Sequence, residues 1–234
     1  MRRGFGPPGG GREGACEAKG RKPGLREQPV PIQGEGRGGL GEGFGNVCEM
    51  TPTQLLQRTK AIGIEATVAE LLDAQIVAAC SDASRYQDFC RRVVLAYPNA
   101  EQVFIAGSGN WGFSLNPEKA LRSFGEYSDI DVGVVHESFF NTTWEELRKY
   151  HRMFFYRISS RKKENLRRNG ENIYSGFVTP AWIPDAGNNF RFQHSKILNA
   201  LSSQLVGFKP VKMLFFKNRT EAIDYYKRGI MPLQ

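Results

Sequence analysis

Cysteine is scarce in this chain. There are 4 in 234 residues (Cys16, Cys48, Cys80 and Cys90), and no two stand in a CxxC spacing. That excludes a disulfide scaffold and a zinc-ribbon ligand set, and it predicts a protein of the reducing cytoplasm. No run of 18 apolar residues occurs, which excludes a transmembrane helix and predicts no membrane partner. The three histidines (His136, His151 and His194) form neither HxH nor HExxH, and no GxSxG elbow is present. A zinc-protease helix and a hydrolase triad are therefore not available. Each histidine reads as a surface or hydrogen-bonded residue, and Cys80 and Cys90, in predicted helices, read as buried and inert thiols.

What the chain does have is 40% hydrophobic and 12% aromatic residues, enough to fill a core. Glycine and proline are concentrated at one end: 20 of the first 50 residues are Gly or Pro. Residues 1–49 (GFGPPGGGREG, GEGRGGLGEGFGN) show no apolar period and read as a disordered tail that cannot repay the entropy of ordering. The segment has no apolar stretch after Arg2 and Arg3, so it is no secretory signal, and its six glutamates argue against a transit peptide. An over-extended gene start ahead of Met50 and a Gly/Arg tail for nucleic acid are both open, though a charge of only +2 gives little hold on a polyanion. Residues 50–234 read as a single domain. They carry the rest of the net charge of +8, which is compatible with a phosphate-bearing ligand.

Within that domain, residues 53–62 predict a short helix. Thr67 and Glu70 predict a capping box for a second, running through Val68, Leu71, Leu72 and Ile76 to Ala79. A further helix spans 84–97 and stops at Pro98. Val103–Ala106 predicts a buried strand ending at Gly107-Ser108. The segment SDIDVGVV predicts a second strand. Thr142 with Glu145 and Thr143 with Glu146 predict the start of one long helix over 143–168, ended by Asn169-Gly170. Residues 171–193 predict loops with one or two short extended pieces, 194–206 a helix and VKMLFFK (211–217) a strand. Asn218 with Glu221 caps a last helix ended by Gly229. The expected fold is α+β (mixed α/β): a small mixed β-sheet packed by helices.

The chemistry-bearing signal is Gly107-Ser108 at a strand end together with Asp129-x-Asp131. Carboxylates two residues apart on a strand face the same side, about 6–7 Å apart. They can converge on one or two Mg²⁺ ions, which favour oxygen ligands and substrate phosphates. A Gly-Ser turn lets backbone and hydroxyl approach a triphosphate with no Cβ in the way. A solvated edge strand is the plainer alternative for the couplet.

The string AGSGNWGF…YSDIDVGVV resembles the signature of the nucleotidyltransferase superfamily, the fold of DNA polymerase β. The wider NWGFSLNPEKALRSFGEYSDID with FNTTWEELRKYHR is similar to a group of bacterial proteins with a nucleotidyltransferase-like domain. The resemblance covers roughly residues 85–230. It implies that Gly107 and Ser108 contact the phosphates of a nucleoside triphosphate (NTP) and that Asp129 and Asp131 are catalytic and hold Mg²⁺. The spacer between Ser108 and Asp129 is longer than the superfamily pattern, and its SLNPEKALRSFGE predicts a flap with Lys119 and Arg122 near phosphates. The superfamily also carries a third carboxylate on a later strand. Here VKMLFFK offers Lys212 and no acid, and Asp185 and Glu171 fall in loop-rich sequence. The expected function is Mg²⁺-dependent transfer of a nucleoside monophosphate (NMP) from an NTP to an acceptor that the sequence leaves open between a protein, a small molecule and RNA. The alternatives are an inactive nucleotide-binding or interaction module and a sequence-independent nucleic-acid binder using the basic run 157–168.

Overall fold

Four strands set the frame: β1 (Gln102–Ala106), β2 (Ile130–Val135), β3 (Phe177–Val178) and β4 (Val211–Phe216). In this computed structural model they form one sheet in the order β1-β2-β4-β3. β1 runs antiparallel to β2, β2 parallel to β4, and β3 antiparallel to β4. The described residues are 50–80, 82–115, 119, 121–185 and 187–231. The Gly/Pro-rich segment 1–49 lies outside them, as does part of the expected flap (116–118 and 120).

Alternation along the strands sorts side chains onto two faces. Ile105, Ile130, Val132, Val134, Met213 and Phe215 point one way and pack with Phe89, Val93 and Tyr97 of the region of helix α3 (Ala83–Ala96). Helices α5 (Glu137–Phe154), α6 (Ser160–Tyr174) and α7 (Asn189–Leu201) cover the same face through Leu147, Leu166 and Leu201. Phe104, Ala106, Val135 and Phe216 point the other way. They meet α1 (Pro52–Ile62), α2 (Ile64–Leu72) and α8 (Arg219–Ile230) through Leu55, Val68, Leu71 and Tyr226. The architecture is α+β with a mixed sheet between helical layers. Among the described residues no helix is long and apolar enough to cross a membrane.

Several expected boundaries move. α2 starts at Ile64 behind Gly63, and Thr67, inside it, donates its hydroxyl to the Gly63 carbonyl instead of capping. That helix stops at Leu72, not Ala79. The long helix expected over 143–168 is two. α5 begins at Glu137, directly after β2, with the His136 side chain accepting from the Phe139 amide. A 3-10 turn at Phe155–Arg157 ends it, and Ser159 caps α6 by accepting from the Lys162 amide. Asn169 and Gly170 lie inside α6. α7 starts five residues earlier than expected, and Gly229 lies within α8. The last cap is as expected: Asn218 Oδ1 accepts from the Glu221 amide at 2.9 Å.

Candidate functional site

β1 delivers the chain to the Gly107-Ser108 corner. Gly107 has φ 59° and ψ −149°, a conformation reserved for glycine, and the chain turns there into the single helical turn α4 (Ser108–Trp111). Asn110 fixes that turn from inside: its Nδ2 donates to the carbonyls of Leu71 and Ile105 at 2.7 and 2.8 Å. β1 pairs with β2 so that Ala106 lies opposite Asp131, which sets the corner beside the acidic couplet. The approach is close. A Cβ added to Gly107 would lie 3.2 Å from Asp131 Oδ2.

Asp129 stands just before β2 and Asp131 within it, on the face that α8 covers. A cleft of about 440 Å³ opens there. All six residues singled out in the sequence line it: Gly107, Ser108, Lys119, Arg122, Asp129 and Asp131. Trp111 forms part of the wall, and its buried indole Nε1 has no hydrogen-bond partner among the described residues.

The structure adds residues that the sequence motif does not contain. Tyr225, Arg228 and Gly229 reach the cleft from α8, and their i, i+3, i+4 spacing is the signal that places them on one helix face. Ser114 and Ser128 line it as well. Lys212 of β4 is the register partner of Asp131 on the neighbouring parallel strand, and its ammonium forms an ion pair with Asp129 Oδ2. Its signal was the alternation of VKMLFFK: Val211, Met213 and Phe215 turn into one core layer, so Lys212 must point to the opposite face.

The two carboxylates differ electrostatically. Partial burial pushes Asp129 up, but the Lys212 ammonium outweighs it and holds the group below the ordinary carboxylate range. Asp131 is pushed up to about 6 by burial and by the charge of Asp129, against weaker pulls from Lys212 and Lys119. It accepts no hydrogen bond and makes no ion pair among the described residues. Lys212 is raised in turn by its bond to Asp129.

Hard oxygen donors with one carboxylate unsatisfied are a set that suits Mg²⁺. Asp129 and Asp131 would hold it, with Ser108 and Ser128 on the same wall. Among the described residues, no group of three or more acidic, His or Cys side chains could hold a metal, so no third acid joins the couplet. Four cations (Lys119, Arg122, Lys212 and Arg228) surround the two acids, and such a cleft favours a polyanion.

The basic run 157–168 falls on the 3-10 turn and on α6, where Arg167 and Arg168 are occupied by Glu164. His136 bonds the Pro98 carbonyl at 2.9 Å. His194 is buried against Tyr97 and Thr179, and neither histidine is near the cleft. No family, no curated protein and no solved structure matches this chain.

Proposed function

We propose that this cleft binds the triphosphate of an NTP together with Mg²⁺, and that the protein transfers the NMP to an acceptor. The observation that carries the proposal is the meeting of the Gly107-Ser108 corner with Asp131 inside a cleft that Lys119, Arg122 and Arg228 line. In the transfer, an acceptor oxygen or nitrogen bonds to the α-phosphorus while the bond from that phosphorus to the β-phosphate oxygen breaks. Pyrophosphate leaves with the electron pair, and the acceptor's proton passes to water. Magnesium, when bound, neutralises phosphate charge and aligns the reacting oxygens. Gly107 lets the β- and γ-phosphates approach the backbone, and Ser108 offers its hydroxyl to them. Lys119 and Arg122 neutralise the departing pyrophosphate, and Tyr225 and Trp111 wall the nucleotide side.

Lys212 favours a second reading. A lysine beside Asp131, where the resemblance would put a third carboxylate on the later strand, leaves no residue there to activate the acceptor. A module that binds nucleotide without turnover fits that substitution. Calorimetric titration with ATP, GTP, CTP and UTP in the presence of Mg²⁺ tests binding. Incubation with α-labelled nucleotides and cell extract tests transfer. Identical titration of the wild type and the Asp129→Ala/Asp131→Ala double variant would remove the site. Label transfer abolished by the double change would remove the binding-only reading.

A further inference from the structure

Lys212 is tied to one member of the acidic couplet and leaves the other alone. Its ammonium pairs with Asp129, while the carboxylate of Asp131, directly across in the parallel register, has no hydrogen bond or ion pair among the described residues. With Asp129 engaged, a metal ion approaching the cleft meets one available carboxylate with a cation beside it. One carboxylate is a weak Mg²⁺ site, and Mg²⁺ completes its octahedron through substrate phosphates when protein ligands are few. The Lys212 side chain is 67% exposed, so its ammonium can swing away from Asp129 without unpacking the core.

We propose that Lys212 is an internal counter-cation that makes metal binding at this site conditional on the nucleotide. Metal alone is kept out because Lys212 holds Asp129. A triphosphate entering with its metal draws the ammonium to a phosphate oxygen, and Asp129 is released to join Asp131 as a ligand. Lys212 thus serves both states, as a placeholder for the cation when the cleft is empty and as a phosphate contact when it is filled. Four cations around two carboxylates are consistent with this order, since the charge that welcomes a polyanion repels a bare divalent ion. The inference rests on the proposed nucleotide site.

The test uses the full chain and measures binding, not turnover. Mn²⁺ is titrated without nucleotide and the free ion is followed by electron paramagnetic resonance, for the wild type, Lys212→Met and Lys212→Arg. Lys212→Met is expected to bind Mn²⁺ about tenfold more tightly than the wild type, and Lys212→Arg, which keeps the charge, to resemble the wild type. The four Mg²⁺-nucleotides are then titrated by calorimetry, and Lys212→Met is expected to bind the preferred one about tenfold more weakly. Wild type taking up Mn²⁺ alone as tightly as Lys212→Met overturns the proposal, as does Lys212→Arg behaving like Lys212→Met. Nucleotide affinity unchanged in Lys212→Met also overturns it. If the wild type binds none of the four nucleotides, the proposed function falls and this inference with it. If it binds one and any of the three results above is found, only the role of Lys212 falls.

Discussion

Gly107 lies close beside Asp131: a Cβ on Gly107 would lie 3.2 Å from Asp131 Oδ2. The glycine is therefore required twice, by its own backbone angles and by the carboxylate beside it. Gly107→Ala is expected to cost about 1–3 kcal/mol from the backbone strain alone. It should also displace the Asp131 carboxylate by a few tenths of an ångström. Thermal unfolding should show the lower midpoint, and titration with Mg²⁺-nucleotide should show weaker binding. Ser108→Ala, without either penalty, should keep the midpoint and weaken nucleotide binding only.

Gly133 meets a different neighbour. It lies in β2 on the face of Asp131, and a Cβ there would fall 2.2 Å from the Phe104 ring. Backbone and aromatic cannot both stay, and overpacking of this kind typically costs about 1–3 kcal/mol. Gly133→Ala is expected to lower the unfolding midpoint by several degrees. Adding Phe104→Leu, which clears the space, should return part of that loss, measured as a double-mutant cycle.

The sheet and the cleft were legible in the sequence for one reason: strand period and glycine corners are local. Val103–Ala106 needed only its apolar run and the Gly-Ser that follows, and Asp131 only its alternation with Ile130 and Val132. Lys212 and Arg228 were hidden because their place depends on strand order and on how α8 lies on the sheet, neither of which a single segment encodes. The helix boundaries failed for a related reason. Thr142-x-x-Glu145 is a valid capping pattern in isolation. In the folded chain, β2 passes straight into α5 at His136, so those threonines fall in the second turn. Their hydroxyls donate to the carbonyls of Ser138 and Phe139 at 2.9 and 2.8 Å. Tertiary context, which holds β2 in the sheet up to Val135, decides where the helix begins.

Two substitutions separate the broken helix from a continuous one. If α6 starts behind Ser159, then Ser159→Ala removes the hydroxyl that accepts from the Lys162 amide and should cost about 1 kcal/mol. If Thr142 is an exposed residue inside α5, then Thr142→Ala should be neutral or stabilising by up to about 0.5 kcal/mol, since alanine is the better helix former. A continuous helix capped at Thr142 demands the reverse order of effects. Chemical denaturation of the two variants beside the wild type reads the order directly.

The buried histidine gives a pH dependence whose sign is fixed by its surroundings. His194 Nδ1 lies 2.7 Å from the Tyr97 hydroxyl, and Nε2 faces Thr179 Oγ1 at 3.5 Å. Burial lowers the pKa of His194 to about 4. The unfolded chain takes up a proton near the ordinary histidine value of about 6.5, while the folded chain resists until about 4. Stability is therefore full above about 6.5 and declines as pH falls towards about 4, because only the unfolded state gains the proton in that window. The contribution lost between pH 7.5 and pH 5 is about 2 kcal/mol. His194→Gln keeps a polar group of similar reach and cannot charge. Its unfolding free energy should start below that of the wild type at pH 7.5, and the gap should narrow by about that amount at pH 5. Equal slopes against pH for the two proteins would mean that His194 is free to ionise in the folded state.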